Sequence, residues 1–260
     1  MGSEQLYTTQ LQAGLGAIEE TKRLFTIWEP GMSASQLFQV ALETGIFPHM
    51  SARRLRNLVT ECFSPRYLIK NDYPAYLLKE LMQCLTPSEF NQLLFLYTSR
   101  ANPILADYVR EVYWHYYSSG REFIDNEVAK EFVIKATQLG KTIKPWSEST
   151  IRRVGSYLTG CCADFGLLEP GTKSVRKILP FRIEQKVAAF LAYDLHFSGL
   201  GDNAILSHPD WQLFGMEWDD VRNELKRLSL KGFFIVQSAG EITRISWKYL
   251  NWEEFINGIA

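Results

Sequence analysis

Ser51-Ala52-Arg53-Arg54-Leu55-Arg56-Asn57-Leu58-Val59-Thr60-Glu61-Cys62 is the stretch on which the fold turns. Leu55, Leu58, Val59 and Cys62 recur at i, i+3, i+4 and i+7, the spacing of one buried helical stripe. Ser51 ahead of them can accept from an orphan amide as an N-cap. Arg53, Asn57 and Thr60 point away from that stripe, and Arg54 and Arg56 flank it, so the helix has an apolar inside and a basic, hydrogen-bonding outside. Pro65 is expected to end it. Upstream, Ser33 or Ser35 caps a helix with Leu37, Val40 and Ala41 on one side, and Gly45 can take the left-handed backbone that stops it. A helix, a glycine turn and a basic helix over 33–63 make the arrangement of a helix-turn-helix, whose second helix enters a DNA groove. The connection from Gly45 to Met50 is longer than the usual three or four residues, so a plain helical hairpin fits the same pattern.

Further along, the design repeats in different residues. Asp125 or Asn126 caps a helix with Val128, Phe132, Ala136 and Leu139 inward, and Gly140 closes it. Lys141, Lys144 and Pro145 then lead to Ser147 or Ser149, either able to cap a long helix that buries Ile151, Val154, Leu158, Cys161, Cys162 and Phe165. Arg152, Arg153 and Ser156 face outward. Leu167-Leu168-Glu169, Pro170-Gly171 and Val175 to Leu179 read as a short hairpin, with Pro and Gly at the centre of a type II turn. Lys173, Arg176 and Lys177 make it basic, like the wing that rides along a phosphate backbone.

A third unit shares the outline but not the sign. Trp218, Val221, Leu225 and Leu228 mark a helix stopped by Gly232, followed by a hairpin of 233–237 and 242–247 around Ser238-Ala239-Gly240-Glu241. Asp219, Asp220, Asn223 and Glu224 crowd its outer face and would repel phosphate, which suits a protein-docking or structural module. Between the first two units, Tyr73 to Tyr117 reads as three helices punctuated by Pro74, Pro87 and Pro103. Tyr97, Tyr108, Tyr113, Trp114, Tyr116 and Tyr117 could stack on bases, but aromatics at this density belong more often to a core.

Charge makes the same division. The 260 residues carry 28 Lys and Arg against 29 Asp and Glu, so any phosphate-binding surface must be local. Residues 51–70 hold five basic groups and one acid, and 141–182 hold eight and three; the intervening and flanking stretches are net acidic. Lys70 and Arg66 complete the first island. With 46% hydrophobic residues the chain has ample material for a core, which excludes disorder. The longest charge-free stretch, Gln5 to Ile18, is too short and too polar to span a membrane, which needs ~20 apolar residues. No secretory leader pattern opens the sequence, so the expected place is the cytosol, with Cys62, Cys84, Cys161 and Cys162 reduced.

Catalytic chemistry finds no constellation. Gly14-Leu15-Gly16 is half of a G-x-G-x-x-G, without a preceding strand or a third glycine, and reads as a bend. His49, His115, His196 and His208 have no metal-like spacing with Cys, Asp or Glu. Clustered acids that would hold Mg²⁺ for a nuclease are missing. The expectation is a non-enzyme with no cofactor, no metal and no small-molecule substrate.

Tyr7-Thr8-Thr9 through Gly14-Leu15 to Glu19-Glu20, then Ser51-Ala52-Arg53-Arg54, then Phe63-Ser64-Pro65-Arg66-Tyr67-Leu68 resemble the BrxA family of bacteriophage exclusion (BREX) defence systems. The distinctive part covers roughly the first third of the chain. The resemblance implies a small, non-enzymatic DNA-binding component of a multi-protein system that methylates host DNA and blocks phage replication. It also implies a mostly helical fold with helix-turn-helix elements beside a positive surface, and a likeness to the antitermination factor NusB. The family's basic helix falls on Arg53, Arg54 and Arg56; Arg152 and Arg153 are assigned from periodicity. The methylation and ATP-dependent steps belong to other members of such systems.

The expected architecture is mainly α, a helical bundle with tandem helix-turn-helix or winged-helix-like modules and one or two short β-hairpins. Its parts would be an N-terminal domain over 1–118, a second helix-turn-helix with a basic wing over 119–182, and an acidic winged-helix-like module over 183–260. The expected partners are double-stranded DNA, bound mainly through phosphates, and other components of the same defence system. The expected DNA contacts are Arg53, Arg54, Arg56, Asn57, Arg66, Lys70, Lys144, Ser149, Arg152, Arg153, Lys173, Arg176 and Lys177. Asn57 is the one good base reader among them. An assembly scaffold or an RNA-binding protein are the alternatives.

Overall fold

The computed structural model describes residues 6–239 and 242–260. In chain order its elements are α1 (Ile18–Ile27), α2 (Ala34–Glu43), α3 (Ala52–Asn57), α4 (Ser64–Tyr67), α5 (Tyr73–Leu81), α6 (Pro87–Ala101), α7 (Pro103–Tyr108) and α8 (Trp114–Ser118). Then follow β1 (Phe123–Asp125), α9 (Asn126–Gln138), α10 (Glu148–Asp164), β2 (Val175–Lys177), α11 (Gln185–Phe197), α12 (Asp202–Leu206), α13 (Trp218–Leu230), β3 (Phe234–Ala239), β4 (Ile242–Trp247) and α14 (Trp252–Ile259). The fold is mainly helical, with two small two-stranded sheets, β1 with β2 and β3 with β4, both antiparallel.

The helix starts follow the side chains that can cap them. Ser33 accepts from the Gln36 amide in a capping box, Ser51 from Arg54, Asp125 from Val128, and Ser147 from Thr150. Ser147 is therefore the cap of α10, and Ser149 lies in its first turn. Pro74, Pro87 and Pro103 stand at the first turns of α5, α6 and α7, where a missing amide hydrogen is harmless.

Pro65 does not end its helix. α3 passes into a π-helical turn, Leu58–Phe63, and on into α4. The Ser64 amide donates to Val59 O, five residues back, so the α-helical ladder has already been given up where the proline ring would crowd it. A second π turn, Val109–Tyr113, joins α7 to α8 in the same way.

By contact the chain forms two units, 1–79 with 94–181, and 80–93 with 182–260. The sequence pattern separates 1–118 from 119–182, yet most of both stretches lies in the first unit. That unit is built on Phe25, Phe63 and Tyr67, whose ring centroids lie 5.0 to 5.3 Å apart, with the stripe of Leu55, Leu58, Val59 and Cys62 buried as expected. α9 buries Ala129, Phe132, Val133 and Ala136. The expected stripe thus differs at both ends: Val128 is half-buried and Leu139, past the last turn, is 65% exposed.

The expected hairpin after α10 forms, with the Glu169 amide donating to Lys177 O at 2.8 Å and the Leu179 amide to Leu167 O at 2.9 Å. β2 also pairs on its other edge with β1, in the register Phe123 to Lys177, Ile124 to Arg176 and Asp125 to Val175. Three residues are too few to show alternation in sequence, so β1 has no pattern to betray it.

The second unit gathers around Tyr193. Its hydroxyl donates to Phe233 O at 2.6 Å and accepts from the Lys248 and Tyr249 amides at 3.1 and 3.3 Å, and its ring meets Trp247 and Phe255 at 4.9 and 4.8 Å. β3 and β4 pair from Phe234–Trp247 to Ala239–Ile242; the turn residues Gly240 and Glu241 lie outside the described residues. α13 buries Val221, Leu225 and Leu228. Glu224, expected outside, shares that face at i+3 from Val221, is 9% exposed, and pairs with Arg227 at 3.2 Å.

Candidate nucleic-acid interface

From Leu6 onward, the charge-free N-terminal stretch is a strap that joins the two basic helices. A 3₁₀ turn, Gln10–Ala13, packs on α10 and on the π turn that follows α3. The chain then threads Gly14-Leu15-Gly16 where no side chain would fit. A Cβ on Gly14 would stand 2.7 Å from Cys62 Sγ, and one on Gly16 would stand 2.6 Å from Asp164 Cβ. Leu15 and Ala17 hold left-handed backbone, at φ +47° and +43°, which costs about 1–3 kcal/mol per residue.

Arg66 and Asp164 hold that bend in place. Arg66, 2% exposed, donates from its guanidinium to Leu15 O at 2.6 Å and Gly16 O at 3.3 Å. Asp164 accepts from the Gly16 amide at 3.0 Å; burial pushes its carboxyl above the usual carboxylate range, and that hydrogen bond pulls it part of the way back. Arg66 is therefore a structural cation, and its expected role at the DNA surface is corrected. Pro65 leaves the helix unbroken, so Arg66 continues the buried face past Cys62 at i+4. The strap is tied again at Tyr7, whose amide donates to Lys141 O at 2.7 Å and whose hydroxyl donates to Asp107 at 2.5 Å. Lys141 also reaches Asp107, at 3.3 Å, and is spent on this junction.

Between the strap and the basic helices lies an open groove of about 860 Å³. Its lining includes Gln10 and Gln12 from the strap, Arg53, Arg54 and Asn57 from α3, and Tyr157 from α10. Tyr157 stands one turn beyond Arg153 on the outer face of α10, so the groove brings the faces of the two islands together. Arg53, Arg54, Asn57, Lys144, Ser149 and Arg153 are all exposed.

The remaining expected contacts are placed less freely. Arg56 is exposed but stacks over the Phe38 ring of α2 at 5.0 Å. Arg152 pairs with Glu148 at 3.1 Å and Lys173 with Glu169 at 3.4 Å, both solvent-exposed pairs of small energetic weight. Lys70 is exposed in left-handed backbone, φ +50°, with Asn71 and Asp72 following it there. On β2, Lys177 is exposed while Arg176 is 8% exposed and donates to Glu169 O at 3.0 Å. A strand alternates its faces, so Arg176 and Lys177 cannot both point outward, and Arg176 is corrected to the inner face.

Sequence reading missed Tyr157, Glu61 and the strap's glutamines as parts of this surface. The i+4 relation of Arg53 to Asn57 to Glu61, and of Arg153 to Tyr157, was the available signal. The aromatic run resolves mostly as core: Tyr97, Tyr108 and Tyr113 are buried, Trp114 and Tyr116 are half-buried, and Tyr117 is 38% exposed. Cys62, Cys161 and Cys162 are buried free thiols, each raised in pKa chiefly by burial. Among the described residues no helix is long and apolar enough to cross a membrane.

No curated protein matches the chain. A family model, BrxA, matches residues 5–194, a span that takes in the strap, both basic helices and every cation of this interface. The chain therefore belongs to the BrxA family, and so to the components of bacteriophage exclusion defence systems.

Proposed function

We propose that this chain is the duplex DNA-binding, non-enzymatic component of its defence system, gripping phosphates with little sequence preference. The observation that carries the reading is the shared groove, in which cations from α3 and the outer face of α10 meet although about a hundred residues separate them in sequence. Arg53, Arg54, Lys144, Arg152, Arg153 and Lys177 are exposed, and in this reading they form the phosphate contacts. α2 with α3 supplies a helix-turn-helix, and β2 with the chain around Glu169 supplies a basic wing. Methylation and ATP-driven steps fall to other proteins of the system.

Neutralising about five or six phosphates gives a slope of log K against log salt near about −5. Mobility shifts with one duplex at low and at physiological salt measure it. A slope near zero, or a strong preference for one sequence over bulk DNA, contradicts the reading; tighter binding to structured RNA turns it toward RNA.

The second unit supports a role in docking a protein partner. α13 exposes Asp219, Asp220 and Asn223, and nearby in sequence Leu230 is 88% and Ile235 61% exposed, an acidic and apolar mixture suited to protein and hostile to phosphate.

A further inference from the structure

We infer that the groove takes an unpaired nucleotide of DNA, either a base turned out of a duplex or the end of a single strand, with the base stacked on Tyr157. The inference rests on the DNA-binding reading above and names what enters the recess. An intact duplex offers its bases only along its grooves, where a protruding helix or ribbon reads them; a concave site of about 860 Å³ reads what leaves the stack.

The lining is wrong for phosphate alone. Arg53 and Arg54 suit a backbone, but Glu61 stands in the same groove one turn beyond Asn57, and among the described residues no cation pairs with it. A carboxylate there repels phosphate, whereas it accepts from the exocyclic amino group of a cytosine. Asn57, Gln10 and Gln12 bring amides that both donate and accept, which a purely electrostatic surface does not need. Tyr157, half-buried on α10 between buried Leu158 and exposed Ser156, brings an aromatic ring to the groove with no rotamer-rich chain to order. Flanking arginines with a stacking ring is the composition of sites that hold unstacked bases. The strap lies close against both helices, because Gly14 and Gly16 leave no space for a Cβ between it and Cys62 or Asp164.

The test measures fluorescence anisotropy of the full chain at one salt concentration with labelled DNAs of one sequence: a perfect duplex, a duplex with one unopposed central cytosine, and the single strand. The unopposed-base duplex should bind about tenfold tighter than the perfect one, within the range a stacked base contributes. Tyr157→Ala should bring that ratio toward one and Tyr157→Phe should keep it, with unchanged melting temperatures for both. Glu61→Gln should weaken the preference for an unopposed cytosine over an unopposed thymine. Equal affinity for all three DNAs overturns the inference and leaves duplex binding standing. Persistence of the ratio in a folded Tyr157→Ala protein, or tighter binding of the matching RNA strand, also overturns it. Binding to none of the DNAs overturns the DNA-binding reading itself.

Discussion

α10 in the first unit and α13 in the second bury their cores by the same arithmetic and end with opposite surfaces. α10 puts Val154, Leu158 and Cys161 inside and Arg152, Arg153 and Ser156 outside. α13 puts Val221, Leu225 and Leu228 inside and Asp219, Asp220 and Asn223 outside. The inner stripe fixes that a helix packs; the outer one fixes what the helix can meet, and the two vary independently. A net charge of −1 conceals this division, since phosphate responds to the nearest charges over about a Debye length and hardly to the sum. The acids of α13 also serve their own helix. Asp219 pairs with Arg222 at 3.0 Å, and Asp220 accepts from the Glu217 amide in a capping box. The arginines of α10 have less to do at home: among the described residues, Arg152 has its exposed pair with Glu148.

The largest effect should come from a cation that faces neither way. Arg66→Ala leaves the Leu15 and Gly16 carbonyls without their donors and opens a cavity beneath the strained bend, which should lower stability by about 3–5 kcal/mol. Urea denaturation measures it. A loss below about 1 kcal/mol would mean that Arg66 is not what holds the strap, and that its sequence neighbours among the surface arginines are better analogues. Next, the double reversal Arg152→Glu, Arg153→Glu should cost DNA affinity about a hundredfold and flatten the salt slope by about two units, since two phosphate contacts become two repulsions. Both side chains are exposed, so stability should stay within about 0.5 kcal/mol of the parent. Gly16→Ala follows, at about 1–3 kcal/mol of stability, because its Cβ must displace Asp164. If the strap sets the groove, DNA affinity should fall in this variant as well, although no charge has changed.

Much of this was legible in the residues. The stripe at 55–62 and, apart from half-buried Ile151, the one at 151–165, the caps at Ser51 and Asp125 and the three proline starts follow from periodicity and from orphan amides, which act locally. What was not legible depends on partners far away in sequence. Arg66 reads as a surface cation until Leu15 and Gly16, some fifty residues earlier, are brought to it. Gly14 and Gly16 read as a bend because their reason is the close approach of Cys62 and Asp164, not a turn type. Pro65 reads as a helix stop because local rules do not foresee a π turn that absorbs it. Tyr157 was overlooked because a half-buried aromatic on a charged face carries no signal until a second helix supplies the rest of the groove.

The smallest effect, and the one that bears most directly on the comparison, belongs to α13. Asp219→Lys, Asp220→Lys puts two cations where α10 has two arginines, on a helix of the same inner pattern. If outer charge alone made a DNA-binding helix, this variant should gain affinity strongly. The groove of the first unit, however, is lined by no residue of α13, so the gain should stay within about twofold, the size of a general electrostatic attraction at physiological salt. Stability should fall by about 1 kcal/mol, because the change removes the capping carboxylate and sets positive charge at the helix N-terminus, where the backbone dipole favours negative. Anisotropy with a perfect duplex and thermal melting measure the two halves. A gain of tenfold or more would show that the sign of the outer face is sufficient and that the groove adds little; an equal loss of DNA binding from this pair and from Arg152→Glu, Arg153→Glu, at unchanged melting temperature, would place DNA on both units and end the division of labour between them.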